Sequence, residues 1–244
     1  MASGPKNPDQ ILPELLGDLK KVFQADLISA TLYGSAAGGE YKPGLSDINI
    51  LVVVTQAGLS ALDRLAPYYK IWRKKRIAPP LILSPEEIQG SLDSFPLEFL
   101  NMRLMHQTFH GEDPLEGLEI NPADLRLQCE RELRGKLLLL REAVVSSAGR
   151  EEDLKYTALD SIKAFVAIFR GVLFLLGDDP GPAGADQVLK KAASRLNLKD
   201  GEVFSALWGL RAARKVPKGE TAGLVRRYLR AVSEATQRVD DIPA

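Results

Sequence analysis

Cysteine is almost absent from this chain. Cys129 is the only one, so no intrachain disulfide can form. A core built without disulfides points to a reducing, cytoplasmic setting. Histidine is nearly as scarce, with only His106 and His110. Their spacing of four would place both on one helix face, but no third ligand lies near to complete a zinc site. They are expected to be structural or surface residues, and the second half has no histidine-dependent centre. Net charge is missing as well. The 32 basic residues balance 32 acidic ones, which removes any general attraction to nucleic acid or anionic lipid. Long hydrophobic runs are also lacking. The most apolar stretch, Ala164 to Leu176, is interrupted by Arg170 and is too short to span a bilayer. The start, Met1-Ala2-Ser3-Gly4-Pro5, lacks the basic-then-apolar layout of a signal peptide. These absences argue against a membrane protein, a secreted disulfide scaffold and a nucleic-acid binder.

What is there is ordinary globular material: 45% hydrophobic and 26% charged over 244 residues, enough for one large domain or two of medium size. The neutral total hides a split. Residues 1–122 carry 11 basic and 15 acidic residues, and residues 123–244 carry 21 and 17. The imbalance is either scatter or the mark of an acidic half that holds metal and a basic half that meets an anion.

The two halves also differ in pattern. Asn7-Pro8 offers an N-cap followed by proline at the first helical position. Ile11, Leu12, Leu15, Leu16, Leu19, Val22 and Phe23 then recur at helical spacing. Leu27 to Tyr33 reads as a strand, broken by Gly34-Ser35. A small, glycine-rich stretch follows, and then Ile48 to Val54, a β-branched run suited to a strand buried on both faces. Leu59 to Arg76 reads as a helix, Pro80 to Leu83 as a short strand and Phe95 to Met102 as a fourth strand. After residue 121 only helical patterns appear. They run from Leu125 to Ala148, from Glu151 to Leu176 and near 185–197, 201–214 and 220–239, with Gly177 to Pro182 as a break. The fold class expected is α+β: a small mixed sheet with flanking helices over residues 1–120, then an all-α bundle over 121–244.

Chemistry concentrates in Leu32-Tyr33-Gly34-Ser35, an eleven-residue spacer, then Asp47-Ile48-Asn49-Ile50. Gly34 allows close backbone approach of a ligand. Ser35 brings a hydroxyl and an N–H that suits phosphate if a helical turn begins there. Asp47 and Asn49, two apart on a strand, share a face, and two oxygen ligands on one face suit Mg²⁺.

This arrangement resembles the nucleotidyltransferase superfamily, whose members include DNA polymerase beta and the aminoglycoside adenylyltransferases. The family pattern is a hydrophobic residue, Gly, then Gly or Ser, a spacer of about ten residues, and Asp-x-Asp or Asp-x-Glu in a strand. The approach Lys42-Pro43-Gly44-Leu45-Ser46-Asp47 looks most like the antibiotic-modifying branch. The resemblance implies Mg²⁺-dependent transfer of a nucleoside monophosphate from ATP or another NTP to a hydroxyl of a small molecule. Gly34, Ser35 and Lys42 would hold the triphosphate, and Asp47 would anchor the metal with help from Asn49. A third carboxylate is expected on a later strand, and Glu98 is the candidate, either as general base or as a solvent-facing edge residue. The chain departs from the pattern at Asn49, where a carboxamide replaces the second acid. It can ligate a cation but carries no charge, so two-metal chemistry should suffer most. The alternatives are therefore a catalytically impaired nucleotide-binding or regulatory module, or an antitoxin-type enzyme that modifies a protein.

Two other features are weighed against this one. Lys70, Arg73, Lys74, Lys75 and Arg76 with Tyr68, Tyr69 and Trp72 read as a solvated helix face with a packed aromatic. Phe165, Phe169 and Phe174 read as core.

Overall fold

Leu27–Tyr33 and Asn49–Val54 form the two central strands, β1 and β2, of a four-stranded sheet. The structure, a computed structural model, describes residues 4–181, 183–213, 216–217 and 219–243. The opening Met1-Ala2-Ser3, Pro182 of the loop and residue 214 at the end of the expected 201–214 helix lie outside it. The remaining strands are β3, Leu81–Leu83, and β4, His106–His110. Their order is β3-β2-β1-β4, with β1 antiparallel to β2 and β4 and with β2 parallel to β3. The sheet is thus small and mixed, as expected, and all of β2 after Asn49 is buried. That is the environment a β-branched run favours.

Helix α1, Leu12–Phe23, follows a single 3₁₀ turn, Pro8–Ile11, capped by the Asn7 side chain. Its apolar stripe of Leu15, Leu19, Val22 and Phe23 joins one core with Leu32, Ile48, Ile50, Val52, Val54, Trp72 and Ile77. Each such side chain contributes about 1.5–3 kcal/mol by leaving water. Trp72 donates its indole N–H to the buried Asp18 carboxylate at 3.2 Å, so the one polar atom of that ring is satisfied inside the core.

The structure departs from the sequence expectations at three places. The helix read over Leu59 to Arg76 is three pieces: a 3₁₀ stretch Gly58–Leu65, helix α2 at Ala66–Trp72, and a 3₁₀ turn Arg73–Lys75. Pro67 sits at the start of α2, where its missing N–H costs nothing, so it begins a helix instead of continuing one. The strand read over Phe95 to Met102 is instead helix α4, Pro96–Leu104, which follows the short α3, Pro85–Gly90. Helix α3 opens with a reciprocal capping box between Ser84 and Glu87. The fourth strand is the histidine segment itself. His106 and His110 therefore lie along a strand, not on a helix face.

The second half is helical: α5 Pro122–Ser146, α6 Glu151–Leu175, α7 Ala185–Arg195, α8 Glu202–Ala213 and α9 Thr221–Asp240. Its centre is aromatic. Phe165, Phe169, Phe204 and Tyr228 pack with ring centroids 4.9–6.0 Å apart, mostly edge to face, the geometry the ring quadrupoles prefer. The Tyr228 hydroxyl meets Ser161 Oγ at 3.0 Å, and burial raises its pKa above the ordinary tyrosine value. Cys129 is fully buried in this core. By internal packing the chain divides into Met1–Leu92 with Glu98–Glu119, and Asp93–Leu97 with Ile120–Ala244. No described helix is long and apolar enough to cross a membrane.

Candidate functional site

Strand pairing builds the site. Tyr33, the last residue of β1, stands opposite Asn49, the first of β2. Gly34 then turns the chain away with φ +76°, a left-handed conformation that costs glycine little and other residues more. Its N–H donates to the Met105 carbonyl at 2.9 Å, and its carbonyl accepts from Ala37 and Gly38 at 3.0 and 2.9 Å. The turn so fixed is a single 3₁₀ turn, Gly34–Ala36. A turn of that length offers no internal acceptor to the N–H groups of Ser35 and Ala36. A Cβ on Gly34 would lie 3.4 Å from Asn49 Nδ2. The bare face of the glycine and the carboxamide are therefore neighbours, and Gly34, Ser35 and Asn49 are brought together.

Asp47 lies two residues upstream of Asn49, just before the strand, and its side chain is 59% exposed. Its partner is one the sequence did not suggest. Arg76 Nη2 sits 2.8 Å from Asp47 Oδ1. The same guanidinium donates to the Ser46 carbonyl at 3.3 Å and the Leu45 carbonyl at 3.1 Å. Backbone pairing explains the placement. Ile48 N–H donates to Arg76 O and Ala78 N–H donates to Ile48 O, both at 2.9 Å, so the segment entering β3 runs beside Asp47-Ile48. Arg76 itself has φ +61°, a conformation that usually selects glycine after a helical turn. Tyr41 adjoins this pair. Burial pushes its hydroxyl pKa up, the Arg76 charge pulls it down and the Asp47 charge pushes it up again. Its hydroxyl donates to the Pro5 carbonyl at 3.1 Å.

Lys42 lies on the turn leading into Asp47. Its N–H donates to Ser46 Oγ at 3.1 Å and its carbonyl accepts from Leu45 and Ser46, while the side chain is exposed. Glu98 is exposed on the first turn of α4. It is not on a strand, so the placement that suggested it as a strand-borne third acid is withdrawn. The strand parallel to β2 supplies no substitute. It arrives through Ala78, Pro79 and Pro80 before Leu81 pairs with Leu51, and none of these three carries a side-chain oxygen.

The donor set fits a divalent cation poorly. Among the described residues no three acidic, histidine or cysteine side chains gather as a metal site. The one carboxylate at the head of β2 already faces a permanent cation. Asn49 adds an oxygen without charge. Mg²⁺ at Asp47 would stand beside the guanidinium at a cost in like-charge repulsion.

Elsewhere, His106 is held at both ring nitrogens. Nδ1 meets the Arg103 carbonyl at 2.9 Å and Nε2 meets Asp113 Oδ2 at 2.7 Å. His106 thus takes a structural part. In the second half, Arg126 and Arg134 are committed to Glu130 and Asp240, and Lys136 faces Glu132.

No family model matches the chain, and no curated protein matches it in sequence. Solved structures do match its shape. One is the crystal structure of spectinomycin adenyltransferase AAD(9) from Enterococcus faecialis with ATP and spectinomycin. The match has a TM-score of 0.55 at 12% sequence identity, over 94% of this chain and 99% of that one. The architecture expected from the resemblance read between Leu32 and Val54 is therefore met: the chain shares the fold of that spectinomycin adenyltransferase.

Proposed function

We propose that the protein binds a nucleoside triphosphate where β1 ends and β2 begins, within a nucleotidyltransferase-like domain of residues 1–120 followed by a helical domain of 121–244. Transfer of the nucleoside monophosphate to a small-molecule hydroxyl is weakened. The observation that carries this reading is the Gly34 turn, whose side-chain-free face lies against the Asn49 carboxamide. Backbone N–H groups of Ser35 and Ala36 suit phosphate oxygens, and the Arg76 guanidinium held at Asp47 adds a positive charge two residues along the chain from Asn49. Lys42, exposed on the adjoining turn, is assigned to the outer phosphates. AAD(9) was crystallised with ATP on the same fold, which supports a nucleotide here without naming an acceptor.

Weak transfer follows from charge. Two-metal phosphoryl transfer relies on anionic ligands that bridge two cations. Here one such position is Asn49 and the other, Asp47, is paired with Arg76. Mg²⁺ is the part of the family resemblance that these residues fit least, and Glu98 is not carried into the reading. Calorimetry of the full chain with each of the four NTPs tests it. ATP or another NTP should bind to the native protein and fail to bind Gly34→Val, with little pyrophosphate released over a panel of hydroxylated acceptors. No heat with any of the four would remove the nucleotide reading. Rapid, acceptor-dependent pyrophosphate release would show that the chain is a competent transferase after all.

A further inference from the structure

We propose that Arg76 is the resident counter-cation of this site, so that the triphosphate binds without a divalent metal. The inference rests on the nucleotide reading above and deepens it.

A bare Asp47 at the mouth of a phosphate site would repel a triphosphate, and a metal ion is the usual remedy. This chain places a guanidinium there instead. Arg76 Nη2 reaches Asp47 Oδ1 at 2.8 Å, and two backbone carbonyls of the same loop, Leu45 and Ser46, fix the fork in place. A guanidinium stays charged at any working pH and offers five N–H donors in a plane. With three contacts made to the loop, it keeps donors for phosphate oxygens. The second acid that would call for a metal is Asn49, and the neighbouring strand enters through Ala78, Pro79 and Pro80. The local charge is therefore balanced by the chain alone. Arg76 holds φ +61°, where glycine is the unstrained choice.

That strain also supplies a clean variant. Arg76→Gly removes the guanidinium while relaxing the backbone, so the fold should persist. Calorimetry of ATP into the full-length protein, once in EDTA and once in excess Mg²⁺, tests the proposal. For the native chain the two affinities should agree within about threefold. In Arg76→Gly the affinity in EDTA should fall by about tenfold or more, the scale of one lost charge-assisted contact, and Mg²⁺ should restore part of it. Arg76→Lys should keep an intermediate metal-free affinity, because it preserves charge but not the fork. If native binding collapses in EDTA and returns with Mg²⁺, the counter-cation proposal is overturned while the nucleotide reading stands. If Arg76→Gly, folded by circular dichroism, binds ATP in EDTA as the native chain does, the proposal is likewise overturned. If none of the four NTPs binds in either medium, the nucleotide reading itself falls.

Discussion

The sheet unit and the helical unit of this chain are organised on different principles. The helical unit spends its polar groups on its own stability. Arg126, Arg134, Arg227 and Arg238 pair with acids on the same or another helix, and its interior is a closed aromatic cluster of Phe165, Phe169, Phe204 and Tyr228. The sheet unit leaves polar groups gathered at one strand end: a glycine turn, a carboxamide, and a carboxylate with a long-range arginine. The lesson is that charge alone does not mark a site. The more basic half of the chain uses much of its basic surface internally, while the functional reading rests on a glycine turn in the more acidic half, with one ion pair close in sequence.

That contrast can be broken first in the helical core. Phe204→Ala removes a ring packed on three others and should cost about 3–5 kcal/mol, read as a lower urea midpoint with an unchanged slope. A loss below about 1 kcal/mol would mean the aromatic cluster is loosely packed. The sheet unit should respond to a polar deletion more mildly. Asp18→Ala strands the buried Trp72 N–H and should cost about 1–3 kcal/mol, with a shift in tryptophan emission. Unchanged emission and stability would show that the indole finds another partner.

Much of the architecture was legible because period and punctuation agreed. Leu27–Tyr33 emerged with the bounds read from its strand-like pattern and the Gly34 break, and β2 needed only its β-branched run. The long helices of the second half followed from sustained periodicity. The failures are equally physical. Phe95 to Met102 is a short apolar run, which period alone does not assign to helix or strand. Pro96 at the head of α4 was the signal to weigh, since proline opens helices and interrupts inner strands. The basic run from Lys70 to Arg76 looked like one solvated face, yet its last member turns back to residues 45–47. A contact across about thirty residues, made through a left-handed backbone at a non-glycine position, leaves no local trace in the sequence. The juxtaposition of Gly34 and Asn49 was readable because a turn and a strand start fix it.

The smallest effect separates a structural pair from a functional one. Burial pushes the Asp113 carboxyl up, but the His106 hydrogen bond, the Leu115 N–H and the His106 charge together hold its pKa below the usual carboxylate value. A depressed carboxyl contributes stability above its unfolded pKa and loses it as pH falls through the folded one. Between neutral pH and strong acid, Asp113→Asn should therefore flatten the acid limb of the stability curve by a fraction of a kcal/mol, as expected for a partly exposed pair. It should leave ATP affinity unchanged at neutral pH. A change in affinity would move His106 and Asp113 from the scaffold into the site.

The central claim is that nucleotide meets the chain at the β1–β2 strand end. Amide chemical shifts of the ¹⁵N-labelled full chain, followed as ATP is added in EDTA, test it most directly. The largest movements should fall on Gly34, Ser35 and Ala36, with the Arg76 guanidinium resonance moving in step. Shifts that gather elsewhere, with those residues still, would contradict the account.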